Sequence, residues 1–287
     1  MALSSDLPPI RACLFDMDGL LIDSEDLYTA CANEVLREYG RPNLPWSIKA
    51  QLQGRPGPEA QRIFHAWAQL PLTPTEFYAK QSQLQRKYFP SAQPLPGVQE
   101  LLSNLQHAQP PGVHLALASS SHTGNFHLKT AHLSTLFSIF TPPHRVLGDD
   151  PRIPPGRGKP APDIYLLALE TINASLREKG ERELRPDECL VFEDSVPGVE
   201  AGRRAGMQVI WCPHPELLEE YKGREKEVLA GLTGENKEEE GASSAEESEG
   251  KNKSGQPGNV DDGWARLLKT LENFPYEVYS IKIYVNS

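Results

Sequence analysis

Residues 13–24 read Cys-Leu-Phe-Asp-Met-Asp-Gly-Leu-Leu-Ile-Asp-Ser. The apolar run Ala12 to Phe15 stops at Asp16, and Asp18 and Gly19 follow at once. The run has the length and composition of a buried strand, and Gly19 permits a sharp exit from it. Side chains alternate along an extended chain, so Asp16 and Asp18 share one side. Two carboxylates held together repel each other, and a hard cation such as Mg2+ relieves that repulsion. A turn that merely ends the strand also uses Asp and Gly, so the pair alone leaves both readings open.

Three further stretches bear on the choice. Residues 113–121, Val-His-Leu-Ala-Leu-Ala-Ser-Ser-Ser, give a second strand pattern that ends in hydroxyls. Residues 158–165, Gly-Lys-Pro-Ala-Pro-Asp-Ile-Tyr, set Lys159 in a proline-stiffened loop ahead of a helix. Residues 189–198, Cys-Leu-Val-Phe-Glu-Asp-Ser-Val-Pro-Gly, give a third strand that ends in Glu193 and Asp194. In an open parallel sheet the carboxyl ends of the strands line one crevice, where ligands bind.

Outward from these strands the reading alternates. Helices are predicted over 97–107, 123–133, 162–178 and 196–205, and strands over 113–118, 137–140, 189–193 and 207–212. This βα alternation predicts an α/β, doubly wound, Rossmann-like parallel sheet. Three helical patterns without a strand, over 24–39, 57–69 and 74–89, predict a helical cap inserted at 23–95, with a core of 1–22 and 96–287. Ser24 is a candidate N-cap and Gly40 a candidate C-cap for the first of them. Residues 142–158 are rich in Pro and Gly and predict an irregular loop. Residues 232–260 are rich in Glu, Ser, Lys and Gly, a composition that predicts disorder. Order is expected again from Trp264, as a helical stripe with Leu267, Leu268, Leu271 and Phe274. Residues 279–285 alternate like a short strand.

Bulk properties exclude some classes. The 287 residues carry a formal charge of −10, which argues against nucleic acid or an anionic membrane as the main partner. No apolar run approaches the length of a membrane span, and the first residues lack the pattern of a secretory signal. Cys13, Cys31, Cys189 and Cys212 are widely spaced, which predicts free thiols in a reducing compartment. The expectation is a cytoplasmic monomer whose partner is a small molecule.

The four stretches, in this order, resemble the four motifs of the haloacid dehalogenase superfamily of Mg2+-dependent phosphohydrolases. The similarity extends over most of residues 10–220. The strings from Asp16 to Ser24 and from Gly158 to Tyr165 resemble the subgroup of β-phosphoglucomutases and small sugar-phosphate phosphatases. Phe89-Pro-Ser-Ala92, Val146-Leu-Gly-Asp-Asp-Pro151 and Val191-Phe-Glu-Asp194 are similar to pseudouridine-5′-phosphatase-like proteins.

The resemblance implies a small phosphorylated metabolite as substrate and an aspartyl-phosphate intermediate. It implies Asp16 as nucleophile and Asp18 as the acid that protonates the leaving alcohol and then activates water. Asp18 is expected to have a raised pKa for the first role. Mg2+ would be held by Asp16, the Asp18 carbonyl and Asp194, with Glu193 as a direct or water-mediated helper. Ser119 would offer its hydroxyl and Ser120 its backbone amide to the phosphoryl oxygens, and Lys159 would neutralise charge. Arg55, in the loop Gln53-Gly54-Arg55, is a candidate for binding substrate from the cap. The chain departs from the mutases at Tyr28, where they carry a histidine, and at Gly57, where they carry an arginine. Both departures favour water as acceptor, and His122, His127 and His132 are read as surface or packing residues. A sugar phosphomutase and a phospho-accepting signalling module are the alternatives.

Overall fold

In the computed structural model, which describes residues 7–55, 57–234 and 257–284, β1 (Ala12–Phe15) is a central strand. Four helices follow it: α1 (Ser24–Glu38), α2 (Trp46–Leu52), α3 (Gly57–Ala68) and α4 (Pro74–Tyr88). The chain continues through α5 (Val98–Gln106), β2 (His114–Ala118), α6 (Thr123–Thr130), α7 (Ser134–Phe137) and β3 (Arg145–Val146). Then come α8 (Asp163–Glu178), β4 (Cys189–Glu193), α9 (Val196–Arg204) and β5 (Gln208–Trp211). The last elements are α10 (Pro215–Glu220), α11 (Glu225–Ala230) and β6 (Ala265–Leu267).

The strands lie in the order β3-β2-β1-β4-β5-β6, and every neighbouring pair is parallel. The order reverses direction at β1, so the switch point of the sheet falls at the end of that strand. Both faces are covered, which is why the strands are apolar throughout. Cys13 and Phe15, with Leu117, Phe192 and Ile210, pack on one face. Ala12 and Leu14, with Ala118, Val191, Val209 and Trp211, pack on the other. Fully burying each Leu or Phe here contributes roughly 1.5–3 kcal/mol, so this alternation fixes the register. Phe15 pairs with Leu117 on one side and Phe192 on the other, and its ring stacks on that of Phe192 at 4.4 Å. The three strands therefore end level, at Asp16, Ala118 and Glu193.

The four helices after β1 bury their own cluster of Ala32, Val35, Leu36, Phe64, Ala68 and Phe77. Thr73 and Glu76 form a reciprocal capping box at the start of α4, with Pro74 at its first position. The chain enters and leaves this unit through paired segments. Asp23 N–H donates to Gln93 O at 3.0 Å, and Leu95 N–H donates to Leu21 O at 3.1 Å.

Several expectations are corrected. Phe137 and Phe140 both face the core, and 137–140 is the last residue of α7 and the turn after it; the strand is β3. Residues 264–274 contain no helix: Ala265–Leu267 adds β6 in parallel to β5. A short apolar run fits either element, and here the open edge of β5 supplies its hydrogen-bond partners. Tyr276–Tyr279 is a 3-10 turn rather than part of a strand, and residues 281–284 have no regular structure. Helix α2, a fourth helix in the insertion, was not anticipated, nor were α10 and α11. Ser24 is the first residue of α1 and its hydroxyl turns to Asp18, so it does not cap the helix. Most of the segment expected to be disordered, 235–256, lies outside the described residues. Its flanks are placed: Thr233 Oγ1 donates to Glu200 at 3.1 Å, and Gly258 N–H to Ala230 O at 2.9 Å.

Among the described residues no helix is long and apolar enough to cross a membrane. All four cysteines are free.

Candidate active site

Asp16 follows the last residue of β1, and its N–H donates to Phe192 O at 3.0 Å. That bond continues the β1–β4 ladder and brings the Asp16 carboxylate beside the end of β4. Lys159 reaches the same point from the loop before α8. Its Nζ donates to Asp16 Oδ1 at 2.5 Å, Glu193 Oε1 at 2.6 Å and Ala118 O at 3.2 Å. An ammonium has three hydrogens, and all three are used. Burial alone would lower the Lys159 pKa, but the two carboxylates outweigh it and hold the group above its ordinary range.

Glu193 is fully buried and its capacity is filled. Oε1 also accepts from Tyr165 Oη at 2.6 Å. Oε2 accepts from Asp194 N, Ser195 N and Ser195 Oγ at 3.0, 3.1 and 3.0 Å. Burial pushes the Asp16 carboxyl up to about 7, with Glu193 and Asp18 adding to it and Lys159 opposing. Burial pushes Asp194 well above the carboxylate range, and Glu193, Asp16 and Glu25 push the same way. Gly19, at φ 81°, faces Asp194: a Cβ there would lie 3.0 Å from Asp194 Cγ. Only glycine fits both that backbone and that approach.

Asp18 lies in a different setting from the one expected. Oδ1 accepts from Ser24 Oγ at 2.5 Å and from Lys129 Nζ, and Oδ2 accepts from Ser121 Oγ at 2.9 Å. Burial would raise its pKa, but Lys129 and these hydrogen bonds hold it below the ordinary range. The expected upward shift is therefore corrected: the neighbour that dominates is an ammonium, not a carboxylate. Lys129 also donates to Ser121 Oγ at 2.6 Å and Tyr28 Oη at 3.3 Å. It lies over the rings of Tyr28 and Phe89, at 5.1 and 5.3 Å.

Ser119, fully buried, has its Oγ 3.5 Å from Asp18 Oδ2 and accepts from Ser121 N at 3.1 Å. Ser120 is half-buried between them. Arg55 donates from Nε to Gln51 O at 2.6 Å and from Nη1 to Glu59 at 2.9 Å, and its charge also acts on Glu200 and Tyr221 of the core; none of these is an acid of the Asp16 cluster. The loop residue that touches a site acid is instead Gln53, whose Nε2 donates to Asp194 Oδ2. Gly57 opens α3. His122 and His127 are exposed, and His132 bonds Ala92 O at 2.7 Å.

Sequence reasoning missed Lys129, Ser121, Tyr165 and Gln53. Lys129 lies with Phe126 and Thr130 on the buried side of α6, a burial that its charge conceals in the sequence.

Oxygens of Asp16, Glu193 and Asp194 lie within 4.8 Å of one another, close enough to hold a metal ion. Charge supports the fit. Asp16, Asp18, Glu25, Glu193 and Asp194 interact with Lys49, Lys129 and Lys159, so five carboxylates face three ammonium groups. Fully ionised, the five would exceed the three by two charges; burial holds Asp16 and Asp194 back from that state, and a divalent cation would offset it. Glu193 is saturated, so Asp16 and Asp194 carry the free capacity.

A doubly wound sheet thus brings clustered carboxylates that could hold a metal ion, and a buried lysine, to its switch point. Residues 10–206 match the model of the haloacid dehalogenase-like hydrolases, and the chain belongs to that family. A Saccharomyces cerevisiae protein described as "Probable pseudouridine-5′-phosphatase" is 44% identical over 77% of this chain and 90% of its own length. An Arabidopsis thaliana mitochondrial (DL)-glycerol-3-phosphatase is 36% identical over 78% of this chain and 70% of its own. A haloacid dehalogenase-family hydrolase of Deinococcus radiodurans, crystallised with phosphate and sodium, superposes with a TM-score of 0.53. It is 28% identical and covers 72% of this chain and 82% of that one.

Proposed function

We propose that this chain is a Mg2+-dependent phosphomonoesterase that acts on a small phosphorylated metabolite, a sugar or nucleotide-like monophosphate, through a phosphoryl group carried on Asp16. The observation that carries this reading is the junction of Asp16 with Lys159 and Asp194 at the switch point of the sheet. It is supported by the relatives, which are named as phosphatases of such compounds.

A carboxylate attacks a phosphate ester poorly unless positive charge screens the approach. Lys159 supplies one such charge on the Asp16 oxygen it bonds, and Glu193 and Tyr165 hold it there. Mg2+, held by Asp16, Asp194 and the Asp18 carbonyl, would supply further charge neutralisation and orientation of the phosphoryl group. Asp16 attacks phosphorus and the ester oxygen departs. Asp18 has to take up a proton before it can pass one to that oxygen; it then takes one from the water that cleaves the aspartyl-phosphate. For both tasks its carboxylate must leave the bonds with Lys129, Ser24 and Ser121. Ser119 and the Ser120 amide orient the phosphoryl oxygens.

Phosphate release measured over a panel of sugar, polyol and nucleoside monophosphates tests the reading, with pseudouridine 5′-phosphate and glycerol 3-phosphate included. Turnover should stop in excess chelator and return with Mg2+. Ca2+ should support it poorly, because its larger and looser coordination shell misplaces the nucleophile. Release that persists undiminished in chelator would defeat the metal assignment.

A further inference from the structure

Gln53 enters the site from the cap loop that follows α2. It is buried, and its Nε2 donates to Asp194 Oδ2. Its Oε1 is also buried and has no hydrogen-bond partner among the described residues. A buried acceptor left unpaired is costly, and at a site it points to a donor carried by a ligand.

Two contacts bring Gln53 to this position. Gly54, at φ 76°, lies against the core: a Cβ there would come 2.8 Å from Ser195 Cβ. At the other end of α2, Trp46 stacks on His214, with centroids 4.5 Å apart and planes at 18°. Helix α2 is thus seated on the core at both ends when Gln53 reaches Asp194. Of the five carboxylates counted above, Asp194 alone has no lysine within ion-pairing distance among the described residues. A lysine in place of Gln53 would compete with a cation for that carboxylate. A neutral amide donor instead orients the carboxylate and leaves its charge for the metal.

We infer that Gln53 is a positioning residue that couples the cap to the metal centre. Its amide aims the Asp194 carboxylate, and its carbonyl accepts an O–H from the hydration shell of the cation. The inference rests on the reading of the site as metal-dependent. Coupling is reciprocal, so bound cation should favour the seated cap as much as the seated cap favours the cation.

Calorimetric titration of the full chain with Mg2+ alone tests it, without turnover. Partners of this kind typically set metal affinity by 10- to 100-fold, so Gln53→Met should bind Mg2+ about that much more weakly. Gln53→Asn keeps an amide but is one methylene too short; it should weaken binding similarly and covers the case of a misfolded Met variant. Hydrogen exchange across residues 46–55 should slow on adding Mg2+ to the wild type and stay unchanged in the variants. Wild-type affinity in both variants, or a wild type that binds no Mg2+, would overturn the coupling. The two readings fail separately. A wild type that binds Mg2+ but releases phosphate from no monoester defeats the phosphatase assignment alone, and unchanged affinity in the variants defeats the coupling alone.

Discussion

Lys129, with no exposed surface, is the ion-pair partner of Asp18, although the two are 111 residues apart in the chain. An ammonium is buried this deeply only where it is paired, so each group depends on the other. Replacing Lys129 with Met leaves the half-buried Asp18 carboxylate without its counter-charge, held only by hydroxyls, which costs up to about 3 kcal/mol. Thermal denaturation should register that loss. Activity should change unevenly. On the proposed mechanism Asp18 protonates an alkoxide leaving group but need not protonate p-nitrophenolate, and Lys129 sets its charge and position, so Lys129→Met should change kcat far more on an alkyl phosphate than on p-nitrophenyl phosphate. Equal changes on both substrates would mean that Lys129 supports the fold alone.

How much of this was legible in the sequence depends on the range of the interaction. Asp16, Glu193 and Asp194 converge because each ends or follows a buried apolar strand, and parallel strands bring their ends together without further information; Lys159 joins them from the loop before α8. The Lys129–Asp18 pair is different. Lys129 sits among His127, Leu128 and Thr130, where a lysine reads as a solvated charge, and nothing local reveals a partner in another element. Helix α2 escaped for a similar reason: its one fully buried residue is Lys49, so it shows no apolar stripe. Segment 264–268 failed for want of length, since a short apolar run takes the form its neighbour allows, and β5 offered an open edge.

Asp16→Asn should abolish phosphate release while the fold survives. The exchange keeps the volume and removes a negative charge that burial disfavours, as its pKa of about 7 indicates. Circular dichroism and melting temperature should match or exceed those of the wild type, with turnover at background. Near-normal turnover would remove Asp16 from the role of nucleophile.

The same raised pKa gives a pH dependence. The unfolded carboxyl titrates near 3.8 and the folded one at about 7. The folded state binds the extra proton in that window, so this group's contribution to stability is present below 3.8 and lost as pH rises to about 7. A cation needs the ionised form and must displace the proton at lower pH. The rise in melting temperature on adding Mg2+ should therefore be larger at about pH 8 than at about pH 5.5. Differential scanning fluorimetry at the two values checks this, and a pH-independent shift would contradict it.

The acceptor of the phosphoryl group separates hydrolysis from mutation of a sugar phosphate. Both begin on Asp16 and both need Asp18. A mutase must hold its sugar for a second attack and exclude water, which asks for precise polar contacts from the cap. Tyr28 instead packs edge-on against Phe89 at 4.8 Å and accepts from Lys129, so its hydroxyl is already engaged. Gly57, at the head of α3, has no side chain to offer. On the proposed mechanism water is then the acceptor, activated by Asp18. Reaction in 18O-labelled water should place the label in the released inorganic phosphate, with no need for a sugar bisphosphate primer. Isomerisation of a hexose phosphate that depends on bisphosphate, with little phosphate released, would identify a mutase instead.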